Sequence, residues 1–263
     1  VSQIISVHSF RGGTGKSNVT SNLATLIARS GRRVGVVDTD IQSPGIHILF
    51  GLGEDRIRYT LNDYLWGRCA IEDAVYDVSS VLKQKQSLFG KQGSIQLLPS
   101  SIKTNEISRI LREGYDARLL NNGLRDLTQR LKLDYLFIDT HPGINEETLL
   151  SIILSDILIL ILRPDHQDYQ GTAVAVDVAR KLEVPKMFLV VNKALPSLGF
   201  SELKQRVENT YKTTVAGILP ISEEMLELGS RDIFSLRYPD HPWTEEVSKI
   251  AKQVASASAK AFR

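Results

Sequence analysis

The sequence predicts an α/β protein: a mostly parallel, twisted sheet of about seven or eight strands with helices on both faces. Three observations lead there. Short apolar runs recur without polar alternation, as strands covered on both faces require. Helical patterns fill the gaps between them, and this alternation builds a parallel sheet with right-handed crossovers. At 263 residues the chain suits one large domain over 1–263, long enough to bury a sizeable core.

The elements follow in order. The first run, Ile4–Val7, leads into a glycine-rich loop and then a helical pattern over Ser17–Arg29. The second run is Val34–Val37. Residues 54–93 interrupt the alternation. There Thr60 reads as the cap of a short helix reaching Trp66. The polar stretch Lys83–Ser87 with Gly90–Gly93 reads as a surface loop or hairpin. Runs then follow at Ile95–Leu98, Tyr135–Ile138, Ile157–Leu162, Met187–Val191 and Val215–Leu219. Helical patterns alternate with them at Ile102–Leu131, broken near Gly114, and at Glu146–Leu154, Gly171–Leu182, Ser201–Thr210 and Ser222–Leu228. No repeat or linker divides the chain. Ligands on such sheets bind at the carboxyl ends of the strands.

The loop after the first run reads Arg11-Gly-Gly-Thr-Gly-Lys-Ser17. Strand, loop and helix in this order make a phosphate-binding loop of the P-loop NTPase class. Glycines let the backbone approach a polyphosphate without a Cβ in the way. Their N–H groups point at the anion, and the following helix adds its positive end. Gly12, Gly13, Thr14, Gly15, Lys16, Ser17 and Asn18 therefore form the candidate nucleotide cradle. Lys16 supplies charge to the β- and γ-phosphates, and Ser17 a hydroxyl to Mg²⁺. The spacing departs from the plain Walker pattern, which wants glycine where Phe10 stands.

Two acidic motifs end strands. Asp38 and Asp40, two apart on extended chain, point the same way. Asp139 ends the run from Tyr135 in the Walker B arrangement, an acid holding Mg²⁺ through water. His141, two residues on, is expected to face solvent or stack nearby. Asn192-Lys193 closes the run from Met187. Leu195 stands where a GTPase needs Asp to read guanine, which favours ATP.

The pattern of basic residue, Gly-Gly-x-Gly-Lys-Ser, resembles the deviant Walker A group, the ParA/MinD family of positioning ATPases. The resemblance runs from Ile4 to the last helix. It implies a homodimer that sandwiches ATP and dissolves after slow hydrolysis. It also implies a switch I at Asp38–Gly45, with Asp38 near Mg²⁺ and Asp40 orienting the attacking water, and a switch II reaching Gly143. The first basic residue is a signature lysine in that family and reaches the partner's nucleotide; here it is Arg11. Arginine can grip phosphate bidentately and take that place, or it can contact its own chain. Asn192 resembles the family's purine-contacting residue, and Leu219-Pro220-Ile221 the loop packed on adenine. His141 departs from the small residue usual there. The implied catalytic set is Lys16, Asp40, Arg11 and Asp38, and the implied metal set is Ser17, Asp38 and Asp139.

Composition bounds the rest. Net charge is +2, so no global basic field demands nucleic acid. The single Cys69 forms no internal disulfide and fits a reducing cytoplasm. No leader peptide is recognisable, and the longest apolar run is too short for a bilayer. Val247, Ile250, Ala251 and Val254 share one face of a C-terminal helix whose small side chains suit packing on the protein's own body better than a membrane. Arg180, Lys181, Lys204, Arg206, Lys212, Arg231 and Arg237 give weak support for non-specific DNA binding. The expectation is thus a Mg²⁺-dependent ATPase, cytoplasmic and nucleoid-associated, that distributes a cargo with a small adaptor protein. The run His8–Asn18 resembles the subgroup lacking the signature lysine, cyanobacterial ATPases that distribute carboxysomes. The alternatives are a MinD-like membrane-cycling regulator of division or flagellar placement, a metabolic relative such as an iron–sulfur component, and a signalling scaffold with little turnover.

Overall fold

The computed structural model describes residues 2–84 and 93–260. Among these, the strands are β1 (Gln3–His8), β2 (Arg33–Asp38), β3 (Tyr76–Asp77), β4 (Ser94–Leu98), β5 (Tyr135–Asp139), β6 (Ile157–Leu162), β7 (Lys186–Ala194) and β8 (Val215–Pro220). They form one sheet in the order β3-β4-β2-β5-β1-β6-β7-β8. All neighbours are parallel except β3 and β4. The helices are α1 (Lys16–Arg29), α2 (Ile46–Leu49), α3 (Leu61–Leu65), α4 (Thr104–Glu113), α5 (Ala117–Arg130), α6 (Glu146–Ile153), α7 (His166–Lys181), α8 (Phe200–Tyr211), α9 (Glu223–Leu228), α10 (Phe234–Arg237) and α11 (Pro242–Lys260).

Every apolar run is a strand. The strands are buried on both faces because alternate side chains serve two cores. Ile5, Val7, Val34, Val36, Phe137 and Ile159 pack with α1 and α11 on one face. On the other, Val37, Leu136 and Ile138 meet α4 and α5, while Leu158, Leu160 and Val191 meet α7 and α8.

Three differences from the sequence reading have physical causes. β3 is two residues long, too short to leave a period, and it pairs antiparallel at an edge. α7 starts five residues before Gly171, where Asp165 caps the Gln167 and Asp168 amides at 3.1 and 2.9 Å. Gly171 sits inside that helix because a Cβ there would lie 2.2 Å from the Phe10 ring. The predicted loop or hairpin after Leu82 falls largely on residues 85–92, outside the described residues. Thr60 caps α3 as expected, in a capping box with Asp63.

Candidate active site

The carboxyl ends of β1, β2, β5 and β7 converge on the loop between β1 and α1. Gly13 and Gly15 hold φ of 76° and 92°, the left-handed region that glycine enters without strain. Gly15 is also close-packed: a Cβ there would stand 2.5 Å from Asn192 Nδ2. That nitrogen donates to the Thr14 carbonyl at 2.8 Å, and Asn192 Oδ1 accepts the Lys193 amide at 2.9 Å. Lys193 Nζ then donates to the Gly13 carbonyl at 2.8 Å. The end of β7 therefore braces the loop through its carbonyls, the groups an anion would not bind.

This bracing gives a first testable outcome. Gly15→Ala both strains the backbone and displaces Asn192. Nucleotide affinity is expected to fall at least about tenfold, from losses on the order of 1–3 kcal/mol. Titration with a fluorescent ATP analogue measures it. Unchanged affinity would mean the loop does not need this conformation.

Lys16 and Ser17 open α1 beneath the loop. Lys16 is buried, and its charge acts on Asp40, Asp139 and His8. Asp38 and Asp139 are register partners at the ends of β2 and β5. Both are almost completely buried, at 0% and 1% exposure. Asp38 Oδ2 accepts the Gly45 and Ile46 amides at 3.0 and 3.4 Å, and its Oδ1 accepts the Asp40 amide at 3.0 Å. Asp139 accepts hydrogen bonds from Ser17 and from Thr20, the latter at 3.2 Å. Burial first, and mutual repulsion with nearby acids, raise both carboxyls; Asp139 rises to about 6 and Asp38 goes well above the usual range.

This arrangement fits Mg²⁺. The cation takes oxygen donors, keeps several waters and needs one or two carboxylates with substrate phosphates. Ser17, Asp139 and Asp38 supply such a set, and Lys16 offsets part of the charge on Asp139.

Asp40 lies further out. Its Oδ1 accepts the Ser43 amide at 3.2 Å and stands 3.9 Å from His141 Nε2. His141 thus packs against switch I, 21% exposed, the nearby contact being one of its two expected placements. Its Nδ1 contacts the Pro142 carbonyl at 2.6 Å. His8, at the end of β1, bonds Thr140 Oγ1 through Nδ1 at 2.8 Å. Thr140 donates onward to the Val7 carbonyl at 3.0 Å, so His8 carries its proton on Nδ1. Burial, then Lys16 and His141, lower His8 to about 3, so it stays neutral.

The other named residues spread outward. Arg11 Nε lies 3.8 Å from Asp168 of its own chain, with 44% of the side chain exposed. Asp168 is held mainly by Arg163, through two bonds of 3.0 Å. Asn18 reaches Ser230 at 3.5 Å. Pro220 ends β8 beside Ala194, and the next residue, Ile221, donates its amide to the Ala194 carbonyl at 3.0 Å. Gly12 faces Pro142 of switch II, and the Gly143 amide bonds the Ser9 carbonyl at 3.1 Å. Sequence reasoning missed Lys193, Thr20, His8 and Asp168. Two signals were present: Thr20 lies one helical turn beyond Lys16, and His8 is an imidazole inside an apolar strand. Nothing in the local sequence pairs Asp168 with Arg11.

Two of the basic residues named for DNA serve the chain itself. Arg180 donates to the Tyr211 and Lys212 carbonyls, and Arg231 to the Leu228 and Glu227 carbonyls. Lys204, Arg206 and Lys212 stay exposed on and just past α8.

A family model described as ParA, NUBPL iron-transfer P-loop NTPase, matches residues 1–255. An uncharacterized ATP-binding protein of Methanocaldococcus jannaschii is 26% identical over 98% of this chain and 89% of its own length. An iron–sulfur cluster carrier protein of Pyrococcus furiosus is 25% identical over 96% of this chain and 85% of its own. In solved structures, the Mg-ADP complex of the septum site-determining protein MinD from Pyrococcus horikoshii superposes with TM-score 0.78, at 23% identity, covering 99% of this chain and 100% of that one. A plasmid partition protein of Borrelia burgdorferi gives TM-score 0.71, at 19% identity over 97% of this chain and 98% of that one. At these identities the structural matches speak for the fold.

Proposed function

Since the chain belongs to the ParA/MinD family of P-loop NTPases, we propose that it is a slow, Mg²⁺-dependent ATPase whose ATP-bound homodimer binds DNA without sequence preference and distributes a cargo through an adaptor protein. The carrying observation is the constellation of Lys16, Ser17, Asp38, Asp40 and Asp139 gathered under a braced glycine loop. The loop amides and Lys16 bind the phosphates, Asn192 holds the loop in place, and Pro220 borders the base. Mg²⁺, held by Ser17, Asp38 and Asp139, would offset phosphate charge. Asp40 holds the attacking water in line, with His141 beside it. Arg11, exposed and weakly held, reaches the partner's phosphates.

The choice of DNA over membrane rests on α11. Val247, Ile250 and Val254 are fully buried and Ala251 is 5% exposed, packed on β8 and α1. The apolar face of α11 is already used within the fold, so this helix is not itself a membrane anchor. No described helix is long and apolar enough to cross a membrane. Carboxysomes, a plasmid or a chromosome region are the cargoes this reading admits.

The family description and the Pyrococcus relative favour a second reading, iron–sulfur cluster transfer. The chain has one cysteine, whose half-buried thiol packs among the apolar side chains around α3. Burial raises it above the usual thiol range, away from the thiolate a cluster needs. ATP turnover, liposome pelleting and anaerobic cluster reconstitution test the three readings together. Slow Mg²⁺-dependent hydrolysis with no pelleting and no cluster is expected. Strong ATP-dependent pelleting or a stable cluster would overturn it.

A further inference from the structure

Three consecutive residues at the end of β1 hold switch II. The Val7 carbonyl accepts the Thr140 amide at 3.3 Å and the Thr140 hydroxyl at 3.0 Å. His8 Nδ1 donates to the same hydroxyl at 2.8 Å. The Ser9 carbonyl accepts the Gly143 amide at 3.1 Å. The two ends of the segment differ. Thr140 and His8 are both 0% exposed, and three contacts fix the threonine. The Gly143 amide is held by one bond in a half-buried loop. Before it can serve a γ-phosphate, that amide must leave Ser9.

Packing does not explain His8. Its Nε2 is buried with no hydrogen-bond partner among the described residues, and a buried nitrogen left bare costs stability. The Thr140 hydroxyl does not need the imidazole, since it already donates to Val7. An apolar side chain of similar size would therefore fill the position without loss. What the histidine adds is a second hold on Thr140. Burial and the nearby charges of Lys16 and His141 keep the ring neutral, so this hold persists beside the phosphate-binding lysine.

We propose, on the strength of the ATPase reading, that His8 is a positioning residue: the fixed pivot on which switch II swings its Gly143 amide from the Ser9 carbonyl to a γ-phosphate. With the Thr140 hydroxyl pinned, the swing starts at residue 141 and carries Gly143 along one path. Without the pin, the Thr140 end turns as well, and the amide meets the γ-phosphate less often. ADP has no γ-phosphate, so its binding does not use the swing.

The test is equilibrium binding of ADP and of a non-hydrolysable ATP analogue, both with Mg²⁺, to the full chain and its variants, beside urea unfolding of each without nucleotide. Wild type is expected to prefer the analogue. His8→Leu should lose about tenfold in affinity for the analogue, keep its affinity for ADP, and be no less stable than wild type. His8→Asn places an N–H where Nδ1 stands and should recover most of the preference. Thr140→Val removes the other partner of the same bond, and the double variant should lose no more than either single one. A side chain that only fills space would move stability and both affinities together. Equal losses for both nucleotides, an unchanged preference in His8→Leu, no recovery in His8→Asn, or additive losses would each overturn the pivot while wild-type nucleotide binding stands. A wild type without preference for the analogue would overturn the ATPase reading along with it.

Discussion

Arg11→Ala is expected to slow ATP turnover about a thousandfold while changing ATP affinity less than about fivefold, the pattern of an arginine supplied across an interface. The geometry supports this. Arg11 lies on the rim of its own site, 44% exposed and 3.8 Å from Asp168. Its departure leaves no bare buried charge, because Arg163 keeps Asp168 paired through two bonds of 3.0 Å. A guanidinium held this loosely is free to reach a second subunit. Single-turnover hydrolysis alongside equilibrium ATP binding measures both quantities. Turnover within a few-fold of wild type would show that Arg11 serves its own chain alone. Arg11→Lys should recover part of the rate, since the charge returns without the bidentate fork.

Asp139→Asn is expected to stabilise the nucleotide-free protein above neutral pH, by on the order of 2 kcal/mol, and to abolish the Mg²⁺ dependence of nucleotide binding. Asp139 rises from 3.8 to about 6 in the fold, chiefly through burial. The folded state then binds more protons than the unfolded one between those values. Stability falls as pH climbs through that window, and the loss is complete above about 7. His8 acts with opposite sign. Its folded value of about 3 lies below 6.5, so stability rises as pH climbs from 3 to 6.5. The two slopes oppose each other in the wild type. Removing the Asp139 charge should leave the His8 slope and the opposing one of Asp38, whose carboxyl burial also raises, with the gain over wild type absent below pH 4 and full above 7. Urea unfolding at pH 4, 6 and 8 reads it. A variant less stable than wild type at pH 8 would mean that Asp139 is not held against its ionisation.

Much of this architecture was legible in the sequence because parallel strands write themselves as unbroken apolar runs. Seven such runs became seven strands, and the loop from Arg11 to Ser17 announced its own chemistry. What stayed hidden depended on long-range placement. β3 is defined by its partner β4, since two residues carry no period. The bracing of the loop by Asn192 and Lys193 joins positions about 180 residues apart in sequence. Which of its two expected placements His141 takes follows from the fold of switch I, which brings Asp40 within 3.9 Å. Local pattern says which residues can do chemistry; the sheet order decides which of them meet.

The central claim is a nucleotide-controlled DNA-binding state. Binding of the full chain to random-sequence duplex DNA, with ATP, ADP or no nucleotide and across a salt titration, tests it most directly. Tight binding with ATP alone, falling steeply as salt rises, is the expected result, since phosphate contacts release counterions. Equal binding in all three states, or none in any, would contradict it.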